Sequence, residues 1–161
     1  ATGKVWEYSL TAAGEELRPI IMALGHWGAR WIGSRLRDDQ LDAGLLMWDV
    51  RRFVRIETFP SRPVVIQFTF RDARPGEQAW WLVVEQGVAD LCRDDPGREL
   101  TLVVDSSVRA LTEVWAGDRT PREVLESQEL RVDGAVKDAE NLWRWLGTSA
   151  FAGTRRAAVT R

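Results

Sequence analysis

Few side chains in this chain have the types and spacing that catalysis needs. The single histidine, His26, stands directly before Trp27 in an apolar helical stretch and reads as a helix-face or interface residue. General acid–base work would need a second group held within hydrogen-bond reach of it. The one cysteine, Cys92, excludes an internal disulfide and fits a small buried residue in a reducing cytoplasm. Asp94 and Asp95 are adjacent carboxylates, but Pro96-Gly97 follows them and makes the segment a turn. There is no cluster of His and Cys at metal-ligand spacing, no glycine-rich phosphate loop and no G-x-S-x-G. No catalytic residue, metal or cofactor is expected, and the chain does not read as an enzyme.

The residues with the most surface to offer are aromatic. Nine tryptophans occur in 161 residues. Each combines a large apolar surface with one N–H that needs a partner when buried. They fill a core, or they line a cavity for a flat or apolar ligand; composition leaves both open. The net charge is −2, whereas a nucleic-acid reader usually has a basic surplus. Basic side chains gather only locally, at Arg30, Arg35 and Arg37 and at Arg51, Arg52 and Arg55. No apolar run approaches the ~20 residues that span a bilayer, and a cytoplasmic location is expected.

The elements that position these residues follow from periodicity. Trp6, Tyr8 and Leu10 alternate with Glu7 and Ser9 as a strand would. Thr11 then caps a helix whose stripe is Leu17, Ile20, Leu24, Trp27 and Trp31, with Pro19 expected to kink or divide it. Arg35 to Gln40 reads as a linker. A helix is expected from Asp42, bearing Leu45, Leu46, Trp48 and Phe53. Val64 to Phe70, Trp80 to Val84, Val88 to Cys92 and Leu100 to Asp105 follow as strands separated by turns. Ser106 or Ser107 caps a helix that Gly117 stops, and Thr120-Pro121-Arg122-Glu123 is a capping box with proline at the first helical position. Leu130 to Gly134 reads as a short strand, and Lys137 to Leu146 as an amphipathic helix. The order is α+β: a mostly antiparallel sheet with helices packed on one face.

Two stretches resemble known families. Y-S-L-T-x-x-G-x-x-L-x-P from Tyr8 to Pro19, followed by His26-Trp27-Gly28, resembles the end of an HxlR-type winged-helix domain. The resemblance implies a last wing strand and a dimerising helix, with the DNA-reading helix-turn-helix upstream of residue 1. Lys4 would be the remaining wing-tip contact to DNA, and the stripe Leu17, Ile20, Leu24, Trp27 and Trp31 a homodimer interface. Leu82-Val83-Val84-Glu85-Gln86-Gly87, Asp95-Pro96-Gly97, Val104-Asp105-Ser106-Ser107 and the run from Gly117 to Gly134 resemble the sterol-carrier-protein-like domain over residues 60–148. Gln128-Glu129 departs from that family, which often has a glycine before the strand.

Together the resemblances imply a strand–helix remnant of a winged-helix domain at residues 1–37 and a sterol-carrier-like domain at 38–161. The second would hold an apolar small molecule or lipid among Phe68, Phe70, Trp80, Leu82, Val84, Leu111, Trp115, Leu125, Leu142 and Trp143. The bottom-up reading gives only that these residues face a common interior, solid or hollow. The expected function is the C-terminal part of a DNA-binding transcriptional regulator with an apolar-ligand module. A stand-alone lipid carrier and an accessory domain of an enzyme are the alternatives.

Overall fold

The computed structural model describes residues 9–32 and 37–154. The expected strand from Val5, and Lys4 with it, lie outside those residues apart from Ser9 and Leu10, which are not in a strand. The chain divides into two compact units: residues 37–153 form one, and residues 9–32 with Thr154 belong to the other.

In the smaller unit, α1 (Ala12–Trp31) starts where Thr11 Oγ1 accepts from the Gly14 N–H at 3.2 Å. Arg18 donates to Glu15 in the first turns at 2.8 Å. The expected division at Pro19 does not occur: the helix is continuous. A proline inside a helix removes one i to i−4 hydrogen bond, and the ladder on either side carries the segment through. None of the helix's residues is buried. His26 Nδ1 lies 3.0 Å from Thr154 Oγ1.

In the larger unit, a 3-10 turn at Asp38–Gln40 leads to α2 (Ala43–Phe53), capped by Asp42, whose Oδ1 accepts from the Leu45 N–H at 2.9 Å. The sheet follows: β1 (Val64–Phe70), β2 (Ala79–Glu85), β3 (Val88–Cys92) and β4 (Leu102–Ser106). Then come α3 (Val108–Ala116), α4 (Pro121–Glu126), β5 (Leu130–Gly134) and α5 (Val136–Leu146). Strand order is β3-β2-β1-β4-β5, with β1 and β4 parallel and the other pairs antiparallel.

The turns explain the connections. β2 and β3 are joined by Gln86 and Gly87 at φ 51° and 79°, the paired positive values that match the twist of a two-residue hairpin. Ser107, not Ser106, caps α3, accepting from the Ala110 N–H at 3.0 Å. Gly117 ends α3 at φ 75°, where a side chain would be strained. Thr120 and Glu123 form the reciprocal capping box, at 3.2 Å from the Glu123 N–H and 2.6 Å from the Thr120 N–H.

One face of the sheet carries the core. Val64, Ile66, Phe68 and Phe70 of β1 lie beside Trp80, Leu82 and Val84 of β2 and Leu102 and Val104 of β4. Helices supply Met47, Val50, Leu111, Val114, Leu142, Trp145 and Leu146. Fully burying one such side chain is worth about 1.5–3 kcal/mol, so this face dominates stability. The buried face of α2 is Ala43, Leu46, Met47 and Val50, whereas Leu45 (71% exposed) and Trp48 (57%) point to solvent. On the face of β2 opposite Trp80, Trp81 is buried while Ala79, Val83 and Glu85 are half-buried. Trp80 Nε1 donates to the Glu77 carbonyl at 2.8 Å and Trp145 Nε1 to the Thr58 carbonyl at 3.0 Å. No buried polar side-chain atom among the described residues lacks a partner.

Candidate functional site

The ten residues expected to face one apolar interior divide into two groups. Phe68, Phe70, Trp80, Leu82, Val84, Leu111, Trp115 and Leu142 come together, packed against one another in the core. Leu125 (40% exposed) and Trp143, half-buried and packed against that core, border a surface groove.

That groove, about 520 Å³, lies over the helix face of β5, between α4 and α5. Pro121 and Leu125 come from α4, Val132 from β5, and Val136, Ala139 and Trp143 from α5. Its size falls in the range of small-molecule sites, which are mostly apolar clefts with a few polar groups. Local structure dictates the lining. Val136, Ala139 and Trp143 are spaced i, i+3, i+7 and share a face of α5, next to the stripe of Leu142, Trp145 and Leu146 that faces the core. Val132 pairs with Val104, so it points to the helix side of the sheet. The edge of the groove at Gly134 has no room for a side chain: φ is 145°, and a Cβ there would lie 2.6 Å from both Leu102 Cδ2 and the Thr101 carbonyl.

The turn between α4 and β5 is held by charge. Arg119 donates to Glu129 at 2.8 Å and to Glu113 at 3.3 Å, and Ser127 Oγ donates to Glu129 at 2.7 Å. The hydrogen bonds from Arg119 and then Ser127 bring the Glu129 carboxyl down to about 2, from an ordinary 4.5. Arg71 adds a hydrogen bond to the Glu129 carbonyl. Within this clamp Gln128 adopts φ 60°, the conformation a glycine takes without strain.

Sequence reasoning found Leu125 and Trp143 but not Pro121, Val132 or Val136 as their neighbours. The signal was the second stripe of α5, which begins at Val136, one residue before the expected helix start. Of the other expected sites, Leu17, Ile20, Leu24, Trp27 and Trp31 are all exposed along α1. Among the described residues no three His, Cys, Asp or Glu side chains gather as a metal site. No described helix is long and apolar enough to cross a membrane.

Residues 1–36 match the family model of the HxlR-like helix-turn-helix. No curated protein matches the chain in sequence. Solved structures match its body. A double mutant of the sec-alkyl sulfatase PisA1 is 12% identical, covering 71% of this chain and 18% of its own, with a TM-score of 0.57. The stereoselective inverting sec-alkylsulfatase Pisa1 from Pseudomonas sp. is 14% identical over 63% of this chain and 16% of its own, with a TM-score of 0.50. Sterol carrier protein 2 from Yarrowia lipolytica in its apo form is 14% identical over 63% of this chain and 84% of its own, with a TM-score of 0.45. The element order β1 to β4, α3, α4, β5, α5 is the sterol-carrier-like order expected from the sequence. The chain thus joins a segment similar to the HxlR-like helix-turn-helix to an α+β body. The chain spans less than a fifth of the sulfatase chains it matches, and that likeness concerns fold.

Proposed function

We propose that the chain is the C-terminal part of a DNA-binding transcriptional regulator, in which residues 1–37 belong to the DNA-reading module and residues 38–161 form an apolar-ligand module. The observation that carries this reading is the HxlR-like helix-turn-helix match at residues 1–36 on a chain whose remainder has a sterol-carrier-like fold. The apolar groove between α4 and α5 is the ligand site, with Leu125 and Trp143 in its walls. The eight core residues support those walls from behind. DNA is contacted through a helix-turn-helix upstream and through Lys4.

A second copy covers α1. Leu17, Ile20, Leu24, Trp27 and Trp31 recur at alternating steps of three and four, the seam of a helix pair. All five are exposed in the single chain. Ligand control is then linkage: a ligand that favours one arrangement of the paired chains changes the affinity of the paired readers by the same factor that DNA changes ligand affinity.

Reading the gene upstream of Ala1 tests this directly. A winged-helix sequence is expected there, and its absence would contradict the regulator. The likeness to part of a sec-alkyl sulfatase favours a second reading, an accessory domain of an enzyme; a catalytic domain upstream would support it. Finding neither, with apolar ligand binding intact, would leave a stand-alone carrier.

A further inference from the structure

The groove between α4 and α5 has a charge sign as well as an apolar lining. Three ionisable side chains border it: Arg122, Glu126 and Glu140. Arg122 Nε donates to Glu126 Oε1 at 2.7 Å, so the one cation of the border is already matched by a carboxylate one turn along α4. Glu140 stands on α5 between Ala139 and Trp143, and no cation among the described residues pairs with it. Lys137, one turn earlier, borders a different groove with Thr58 and Asn141. The positive end of α5 favours an anion, and Asp138 in its first turn supplies that charge, itself 2.6 Å from Arg62. The border therefore carries one carboxylate in excess.

We infer that this groove selects lipophilic cations, apolar bodies bearing a quaternary or delocalised positive charge, over fatty carboxylates and other apolar anions. The inference rests on the apolar-ligand reading above and names the ligand class of that site. Leu125, Val132 and Val136 receive the apolar body. The half-buried Trp143 lines the groove and is the aromatic partner for the cation. Glu140 supplies the opposite charge, with Glu126 beside it. A carboxylate-headed chain in the same place meets two like charges and a cation already engaged.

A matched pair of ions isolates the charge. Tetraphenylphosphonium and tetraphenylborate have nearly the same shape and opposite sign, and both are titrated into the full chain by calorimetry. The neutral probe N-phenyl-1-naphthylamine is titrated by its own fluorescence. Tetraphenylphosphonium is expected to bind roughly tenfold tighter than tetraphenylborate, and Glu140→Gln to reduce that preference roughly threefold to fivefold, as partly exposed charge pairs do. Because Glu140 is exposed, this variant keeps the fold. Equal affinity for the two ions, tighter binding of the borate, or a preference unchanged by Glu140→Gln would overturn the inference. If the neutral probe still binds saturably in that case, the apolar site stands and only its charge preference falls. If neither ion nor the neutral probe binds, the apolar-ligand reading falls with it.

Discussion

Gln128, just past the Ser127 cap of α4, adopts φ 60° in a turn where a glycine would sit without strain. The sequence pattern placed a glycine near this position and found Gln128-Glu129 instead; the backbone keeps the left-handed conformation regardless. A non-glycine residue there costs of order 1–3 kcal/mol, partly offset by the lower chain entropy glycine would forfeit. Gln128→Gly is therefore expected to stabilise the protein by about 0.5–1 kcal/mol, and Gln128→Val to destabilise it by a similar amount, read by urea unfolding. Its neighbour Glu129 supplies a pH dependence. Its carboxyl is held at about 2, well below the ordinary 4.5, so the folded state binds its proton less readily than the unfolded one. The stability it contributes is fully present above about pH 4.5 and is lost as pH falls towards 2. Between those values the wild-type unfolding midpoint should fall more steeply than that of Glu129→Gln; parallel pH profiles would contradict the clamp.

At the scale of elements, most of what positions the groove was legible because local chemistry and tertiary packing agree. The capping box at Thr120, the stop at Gly117 and the hairpin at Gln86-Gly87 each specify their own backbone, and each occurs where expected. α4 is only six residues long, too short to hold itself, so its cap matters to the groove it borders. Thr120→Ala should cost about 1 kcal/mol and weaken binding of N-phenyl-1-naphthylamine in parallel. α2 was harder to read. Leu45, Leu46, Trp48 and Phe53 made a plausible stripe, but the sheet takes Ala43, Leu46, Met47 and Val50 instead. Apolar residues surround that helix, and only the partner surface decides which face is buried. Trp48 stays exposed with the Arg52 guanidinium 5.9 Å from its ring centre.

At the scale of the whole molecule, the α+β element order was readable because turns and strands recur at regular intervals. The site was only partly readable. Eight of the ten expected lining residues fill the core, and Leu125 and Trp143 border the groove. Sequence marks a side chain as apolar without marking whether neighbours fill the space in front of it. The eight tryptophans among the described residues show both outcomes: Trp80, Trp81, Trp115 and Trp145 are buried, Trp143 is half-buried at the groove, and Trp27, Trp31 and Trp48 are exposed. The exposed stripe of α1 leads to a test of assembly. Sedimentation on dilution should show a dimer that Leu24→Asp converts to monomer, because burying each large apolar side chain contributes about 1.5–3 kcal/mol and a charge removes that gain. A wild-type monomer at all concentrations would contradict the seam.

The claim on which the functional account depends is that the groove between α4 and α5 takes an apolar ligand. Its most direct measurement is a titration of the full chain with neutral N-phenyl-1-naphthylamine, beside Leu125→Asp, a change at an exposed position that leaves the core untouched. Saturable one-site binding by the wild type is expected, with affinity lowered at least roughly tenfold in the variant while its circular dichroism is unchanged. Absence of saturable binding, or equal binding by Leu125→Asp, would contradict it.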